Sequence, residues 1–133
     1  MKVMIDTNIF ISAALFPNGT TSSALKKALL PPYTSLTCDY VIDELKRKFR
    51  EKFPDKTEAL NEFLKIALPV IEIVQTPDEK VDEESKIRDP KDRPILRAAL
   101  SSDVDLFLTG DKDFLESGIN HPKIMTAAEF MAM

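Results

Sequence analysis

Four carboxylates are the side chains through which this chain could do chemistry: Asp6, Glu44, Asp92 and Asp111. An acidic set of this kind suits a hard divalent cation. Like charges at close range cannot all stay ionised without a counter-charge. Mg²⁺ takes oxygen ligands, keeps several waters, and is commonly held by one or two carboxylates together with substrate phosphate. An ion so held can polarise a phosphate, activate water and neutralise a leaving oxygen. Taken singly, each acid also has a plainer reading. Asp6 and Asn8 could shape a turn or cap a helix, Asp92 could cap a helix, and Asp111 after Thr109-Gly110 could close a turn. Glu44 by itself reads first as a solvated helix acid. Asp113 reads as a cap, Asp89 before Pro90 as a turn signal, His121 as a surface residue and Cys38 as a buried structural thiol. The chain has no P-loop, no Rossmann glycine fingerprint, no zinc-ligand spacing and no partner pattern for a catalytic cysteine.

The apolar pattern predicts the elements that must gather these acids. Val3-Met4-Ile5 is a short apolar run of the kind buried on both faces in a parallel sheet, and Ile9-Phe10-Ile11 is a second run beyond Asp6. A carboxylate at the end of such a strand is costly to bury unless it is paired or binds metal. Phe16-Pro17-Asn18-Gly19 is a turn, followed by a helix over 21–30, capped by Thr20 or Thr21 and stopped by Pro31-Pro32. A strand is expected over 33–37 and a helix over 38–53, with Val41, Ile42, Leu45, Phe49 and Phe53 on one face and Glu44 beside it. A second amphipathic helix covers 57–68, a strand 70–74, and a surface loop or short solvated helix 76–84. Pro94 is tolerable only in a first turn, so the next helix runs from near Asp92 to Ser102, with Asp92 at its inward corner. A strand over 105–109, a short helix over 112–117, an edge strand over 123–126 and a terminal helix Ala127–Met131 capped by Thr126 complete the chain. Alternating strands and helices imply a three-layer α/β/α sandwich around a parallel sheet of four to five strands, one domain over residues 1–133. In such a sheet the four acids fall along one edge, where ligands bind.

A hydrophobic fraction of 44% with 30% charged residues suits one soluble globular domain. One cysteine allows no internal disulfide, which fits a reducing cytoplasm. No leader with an apolar core and no membrane-length apolar run is seen, so export and membrane insertion are not expected. The net charge of −4 argues against non-specific nucleic-acid binding. Its distribution is uneven, however: Lys46, Arg47, Lys48, Arg50 and Lys52 crowd one segment, and Arg88, Lys91, Arg93 and Arg97 another. The first run reads equally as RNA contact and as the wet face of a helix.

The blocks MIDTNIFIS at 4–12, DELKRKF at 43–49, DPKDRPILRAAL at 89–100 and LFLTGDKDFL at 106–115 resemble, in order and spacing, the four acidic motifs of the PIN domain family. The likeness extends over nearly the whole chain and is greatest to compact prokaryotic toxin components of toxin–antitoxin pairs, relatives of the VapC-type ribonucleases. It implies a PIN-like sandwich and an endoribonuclease dependent on Mg²⁺ or Mn²⁺, giving 5′-phosphate and 3′-hydroxyl ends. Asp6, Glu44, Asp92 and Asp111 match the acids that hold metal and carry catalysis. Asp113 matches an extra acid, and Thr7, Asn8 and Thr109 match polar residues that orient the acids. Cys38 departs from the usual hydroxyl at its position. A small antitoxin lying in the acidic groove and a homodimer are further implications.

On this reading Asp6, Asp92 and Asp111 bind one ion and Glu44 completes the site or recruits a second. Lys46, Arg47, Arg50, Arg93, Arg97 and Lys112 are expected phosphate contacts, which position a strand without specifying its sequence. Single-stranded or loop RNA is the expected substrate. Two other readings compete. A catalytically silent PIN-like module binding RNA or protein is disfavoured by the complete acid set. A phosphatase acting on small phosphomonoesters is disfavoured by the basic segments.

Overall fold

The computed structural model describes residues 1–133. β1 (Lys2–Ile5) buries Val3, Met4 and Ile5 completely. The chain then turns at Asp6 directly into α1 (Thr7–Leu15), a helix that the sequence reading did not assign. The β-branched residues of Ile9-Phe10-Ile11 lower helix propensity and imitate a strand. Tertiary burial of Ile9, Phe10 and Ala13 at helical spacing wins, and Asp6 caps the start by accepting the Thr7 N–H at 2.7 Å.

α2 (Thr20–Ala28) has Gly19 at its N-cap rather than either threonine. β2 (Thr34–Cys38) leads without a loop into α3 (Asp39–Lys52), whose Val41, Ile42, Leu45 and Phe49 face inward. α4 (Thr57–Ala67) buries Leu60, Leu64 and Ala67. β3 (Glu72–Val74) is shorter than the apolar run that suggested it, because Leu68–Val70 form a 3₁₀ turn around Pro69. A proline has no N–H to donate to a ladder. The acidic stretch that followed was expected to be solvated. Its 3₁₀ turn, Asp82–Lys86, instead buries Glu84. The remaining elements are α5 (Arg93–Ser101), β4 (Leu106–Leu108), α6 (Lys112–Leu115), β5 (Lys123–Met125) and α7 (Ala127–Met131). Thr126 and Glu129 close a capping box on α7. No helix is long and apolar enough to cross a membrane.

All five strands are parallel, in the order β3-β2-β1-β4-β5. The chain steps from β1 outward to β3, then returns across the sheet to β4 on the other side of β1. Right-handed crossovers require the helical layer to change faces at that reversal, which gives the three-layer sandwich. The crevice between β1 and β4 is therefore the topological switch point, where ligands bind in open α/β sheets. Ile5 pairs with Leu108, so the two strands end level, and the Asp6 N–H donates to the Leu108 carbonyl at 3.1 Å. Phe107 on β4 stacks on Phe114 of α6 with centroids 4.6 Å apart, which ties the turn after β4 to the core.

Candidate active site

Asp6 stands at the exit of β1 and is 4% exposed. One carboxylate oxygen accepts the Thr7 N–H, and the other accepts the Thr109 hydroxyl at 2.7 Å. Burial pushes its pKa up to about 6, with Glu44 and Asp111 adding like charge against the two hydrogen bonds. Thr109 is itself buried and joins the two strand exits: its hydroxyl donates to Asp6 and accepts the Asp111 N–H at 3.0 Å. Asn8 adds a second tie by accepting the Gly110 N–H at 3.2 Å. Asp111 caps α6 by accepting the Asp113 N–H at 2.9 Å. Asp111, read as closing a turn, takes the α6 cap that was read for Asp113, and the capping role read for Asp6 is real. It coexists with a place in the cluster, since a carboxylate has lone pairs to spare.

Glu44 lies in the second turn of α3 and is 8% exposed, not solvated. It accepts the Thr7 hydroxyl, so the residue next to Asp6 fixes the acid that α3 contributes. Asp92 precedes α5 without capping it, which leaves its carboxylate free for the groove. Burial, then the charges of Asp111 and Asp6, push its pKa up to about 7. Its loop is held by Asp89, which accepts the Lys91 N–H, and by the Tyr40 hydroxyl, which donates to the Lys91 carbonyl. Asp89 and Asp113 bring carboxylate oxygens within 4.8 Å of Asp92 and of one another. Asp113 also pairs with Arg88 at 2.9 Å. Asp89, read from sequence as a turn residue, is therefore at the groove as well. Its position three residues before Asp92, at one end of the same turn, was the available signal.

Glu44, Asp89, Asp92, Asp111 and Asp113 line an open groove of about 440 Å³ with no apolar wall, and Asp6 is buried within reach of the Glu44 and Asp111 charges but outside that lining. The donors are all carboxylate oxygens, from four separate stretches of chain. Asp6, Asp92 and Asp111 form no salt bridge within the chain. That donor set fits a hard divalent cation such as Mg²⁺ or Mn²⁺ and offers nothing to a thiophilic one.

The basic residues divide differently from the sequence reading. Arg47 lines the groove, and so do Lys48, Lys52 and Lys91. Helical spacing from Glu44 puts 47–48 and 51–52 on its face, a signal the charge count obscured. Lys46 points elsewhere, into a cleft beside α4 with Glu58 and Glu62. Arg50 lines a neighbouring depression with Tyr40. Arg97 is corrected outright: it is 9% exposed, and Glu84 takes its guanidinium at 2.8 and 3.0 Å. Arg93 donates to the Ile87 carbonyl and lines a separate pocket with Arg97. Neither of these two arginines belongs to the acidic groove. Lys112 is exposed next to Asp111.

Comparison with known proteins agrees with this architecture. The family model for the PIN domain matches residues 2–113. An uncharacterized protein of Methanocaldococcus jannaschii is 28% identical across 98% of this chain and 90% of its own length. Among solved structures, VapBC2 from Rickettsia felis, bound to a DNA fragment from its promoter, superposes with a TM-score of 0.72 at 18% identity, covering 95% of this chain and 98% of that one. FitAcB from Neisseria gonorrhoeae gives 0.68 at 19% identity over 95% and 98% of the two chains. VapC20 of Mycobacterium tuberculosis, a toxin that cleaves the sarcin–ricin loop, gives 0.60 at 15% identity over 88% and 95%. The parallel sheet, the acids at its switch point and a family match spanning most of the sequence lead to one conclusion: this chain belongs to the PIN domain family.

Proposed function

We propose that this protein is a divalent-metal-dependent endoribonuclease and the toxin component of a toxin–antitoxin pair. What supports the reading is that Asp6, Glu44, Asp92 and Asp111 lie close enough to feel one another's charge, three of them without any cationic partner in the chain. Beside them, the Asp89, Asp92 and Asp113 oxygens lie within 4.8 Å of one another. A divalent cation bound there supplies charge neutralisation at the phosphate and lowers the cost of activating water. Asp6, Asp92 and Asp111 are the residues to hold it. Thr109 and Thr7 keep Asp6 and Glu44 from rotating out of position, which is what a precise ligand geometry needs. One of the four carboxylates accepts the proton of the attacking water. Arg47, Lys48, Lys52 and Lys91 on the rim engage flanking phosphates, so a polymer suits the groove better than a small phosphomonoester.

Family membership and the VapBC and FitAB complexes among the structural neighbours support a partner antitoxin. An apolar cleft of about 230 Å³ between α1, α2 and α4, walled by Ala13, Leu25, Leu29, Phe63 and Ile66, is a surface that an apolar segment of such a partner would cover. The buried, unpaired Cys38 suits the cytoplasm, where such an enzyme would meet its RNA.

The test is an unstructured RNA ladder and a nitrophenyl phosphate ester, each offered with Mg²⁺, with Mn²⁺ and with EDTA. Cleavage of the RNA alone, abolished by EDTA, is expected. Cutting that persists in EDTA, or turnover of the ester in place of RNA, would overturn the proposal.

A further inference from the structure

A second depression adjoins the acidic groove, and Glu44 is the one member of the acid cluster in its lining. It has a volume of about 320 Å³ and is lined by Tyr40, Asp43, Glu44, Arg47 and Arg50. These positions follow the i, i+3, i+4, i+7 spacing of one helical face. Glu44 and Arg47 also line the acidic groove, so a chain leaving the groove over Arg47 enters this depression next. We propose that it is a nucleoside subsite: the base beside the scissile phosphate stacks on the Tyr40 ring, and Arg47 and Arg50 hold the flanking phosphates. This rests on the reading of the groove as a ribonuclease site.

Three features support it. Tyr40 is the one aromatic lining residue of either hollow. Its hydroxyl is committed to the Lys91 carbonyl, so the ring is already fixed against the loop that carries Asp92, and stacking on it loses little rotamer freedom. The volume lies near the lower limit of about 300 Å³ for small-ligand clefts, which suits one nucleoside. Bases in a duplex are occupied by their neighbours, so the subsite requires an unpaired base. Base–aromatic stacking tolerates any sequence, and the Asp43 carboxylate adds an acceptor for bases that carry an exocyclic amine.

The chain has two tyrosines and no tryptophan, so Tyr40 can be observed directly. In a chain carrying Tyr33→Phe and Asp6→Asn, all tyrosine emission comes from Tyr40 and bound RNA is left uncut. Adding an unstructured oligoribonucleotide should quench that emission, and the same sequence as a duplex should not. In the otherwise unaltered enzyme, Tyr40→Ala should raise KM about tenfold or more, the effect of losing one base stack, on top of the fall in kcat that loss of the hydroxyl causes. Tyr40→Phe keeps the ring but loses the hydroxyl that holds the Asp92 loop, so it should lower kcat and leave KM near the original value. Absence of quenching, an unchanged KM in Tyr40→Ala, or a KM in Tyr40→Phe raised as far as in Tyr40→Ala overturns the subsite; the last would leave Tyr40 only a strut for the Asp92 loop. If the unaltered enzyme cuts no RNA, the ribonuclease reading fails on its own, and the emission measurement still decides whether Tyr40 meets a base.

Discussion

Glu84 and Asp6 are each 4% exposed, yet a guanidinium answers the first, while a hydroxyl, a backbone N–H and two further acids surround the second. Arg97 grips Glu84 with two parallel hydrogen bonds and spends a third donor on the Pro77 carbonyl. The pair sits where the 3₁₀ turn meets α5 and brings that turn's backbone against the domain. Its electrostatics are closed, and the Arg97 hydrogen bonds hold the Glu84 pKa below the usual range. The acidic groove is the reverse case. Asp6, Asp92 and Asp111 are oriented there without an ion pair, and burial raises Asp6 and Asp92 instead. A buried acid that the chain neutralises itself serves the fold. A buried acid left without a counter-charge costs the free protein stability, which marks it as a candidate functional group.

Replacing Asp6 tests that contrast most severely. Asp6→Asn should lower metal-dependent RNA cleavage by on the order of 10²–10³-fold or more, the scale of losing a preorganised electrostatic group. Thermal melts without metal at pH 8, where Asp6 is charged, should show little loss of stability, because removing the buried charge offsets the one hydrogen bond that the asparagine amide nitrogen cannot accept. Retained cleavage would dissolve the distinction between the two regions. Glu84→Ala should behave oppositely. It strands the Arg97 charge in the interior and should cost about 3–5 kcal/mol by urea denaturation, while the folded fraction keeps its activity. A Glu84→Met, Arg97→Met pair should recover much of that loss, since a buried ion pair contributes little net stability over well-packed apolar side chains.

Titration separates the regions by sign. Without metal, Asp6 and Asp92 hold protons up to about 6 and about 7, whereas in the unfolded chain they release them near about 3.9. Across that window the native state binds more protons than the unfolded one, so stability falls as pH rises from about 4 to about 7, by on the order of 3 kcal/mol from Asp6. Mn²⁺ should reverse the fall by binding only the native, deprotonated cluster, raising the melting temperature more at pH 8 than at pH 5. Glu84, with its lowered pKa, contributes stability that is present above the ordinary glutamate value and lost as pH drops through its own. A metal-free stability profile that only rises between pH 4 and pH 7 would contradict the account of the groove. The smallest expected difference concerns the rim. Lys48→Ala should weaken RNA binding and reduce the salt slope by about 0.7, while Lys46→Ala, on the other flank of α3, should leave both unchanged.

The parallel α/β layering, the helices around Glu44 and Asp92 and the strand exits at Asp6 and Asp111 were legible because each depends on local periodicity and on proline or glycine punctuation. α1 was not, because Ile9 and Ile11 favour strands locally and only packing of Phe10 and Ala13 against the core makes them helical. Where each charge points was equally hidden. The segment rich in lysine and arginine in α3 is visible as a run, but helical rotation sends Lys48 to the groove and Lys46 away from it. Arg97 and Lys91 look alike as basic residues in one segment, yet one is buried against an acid 13 residues earlier and the other stands on the groove rim. The sequence by itself determined which side chains this protein has for chemistry and the order of the elements that bear them. Only the tertiary structure decided which charges are neutralised from within and which are left open, because that depends on distances between stretches of chain that local pattern does not encode.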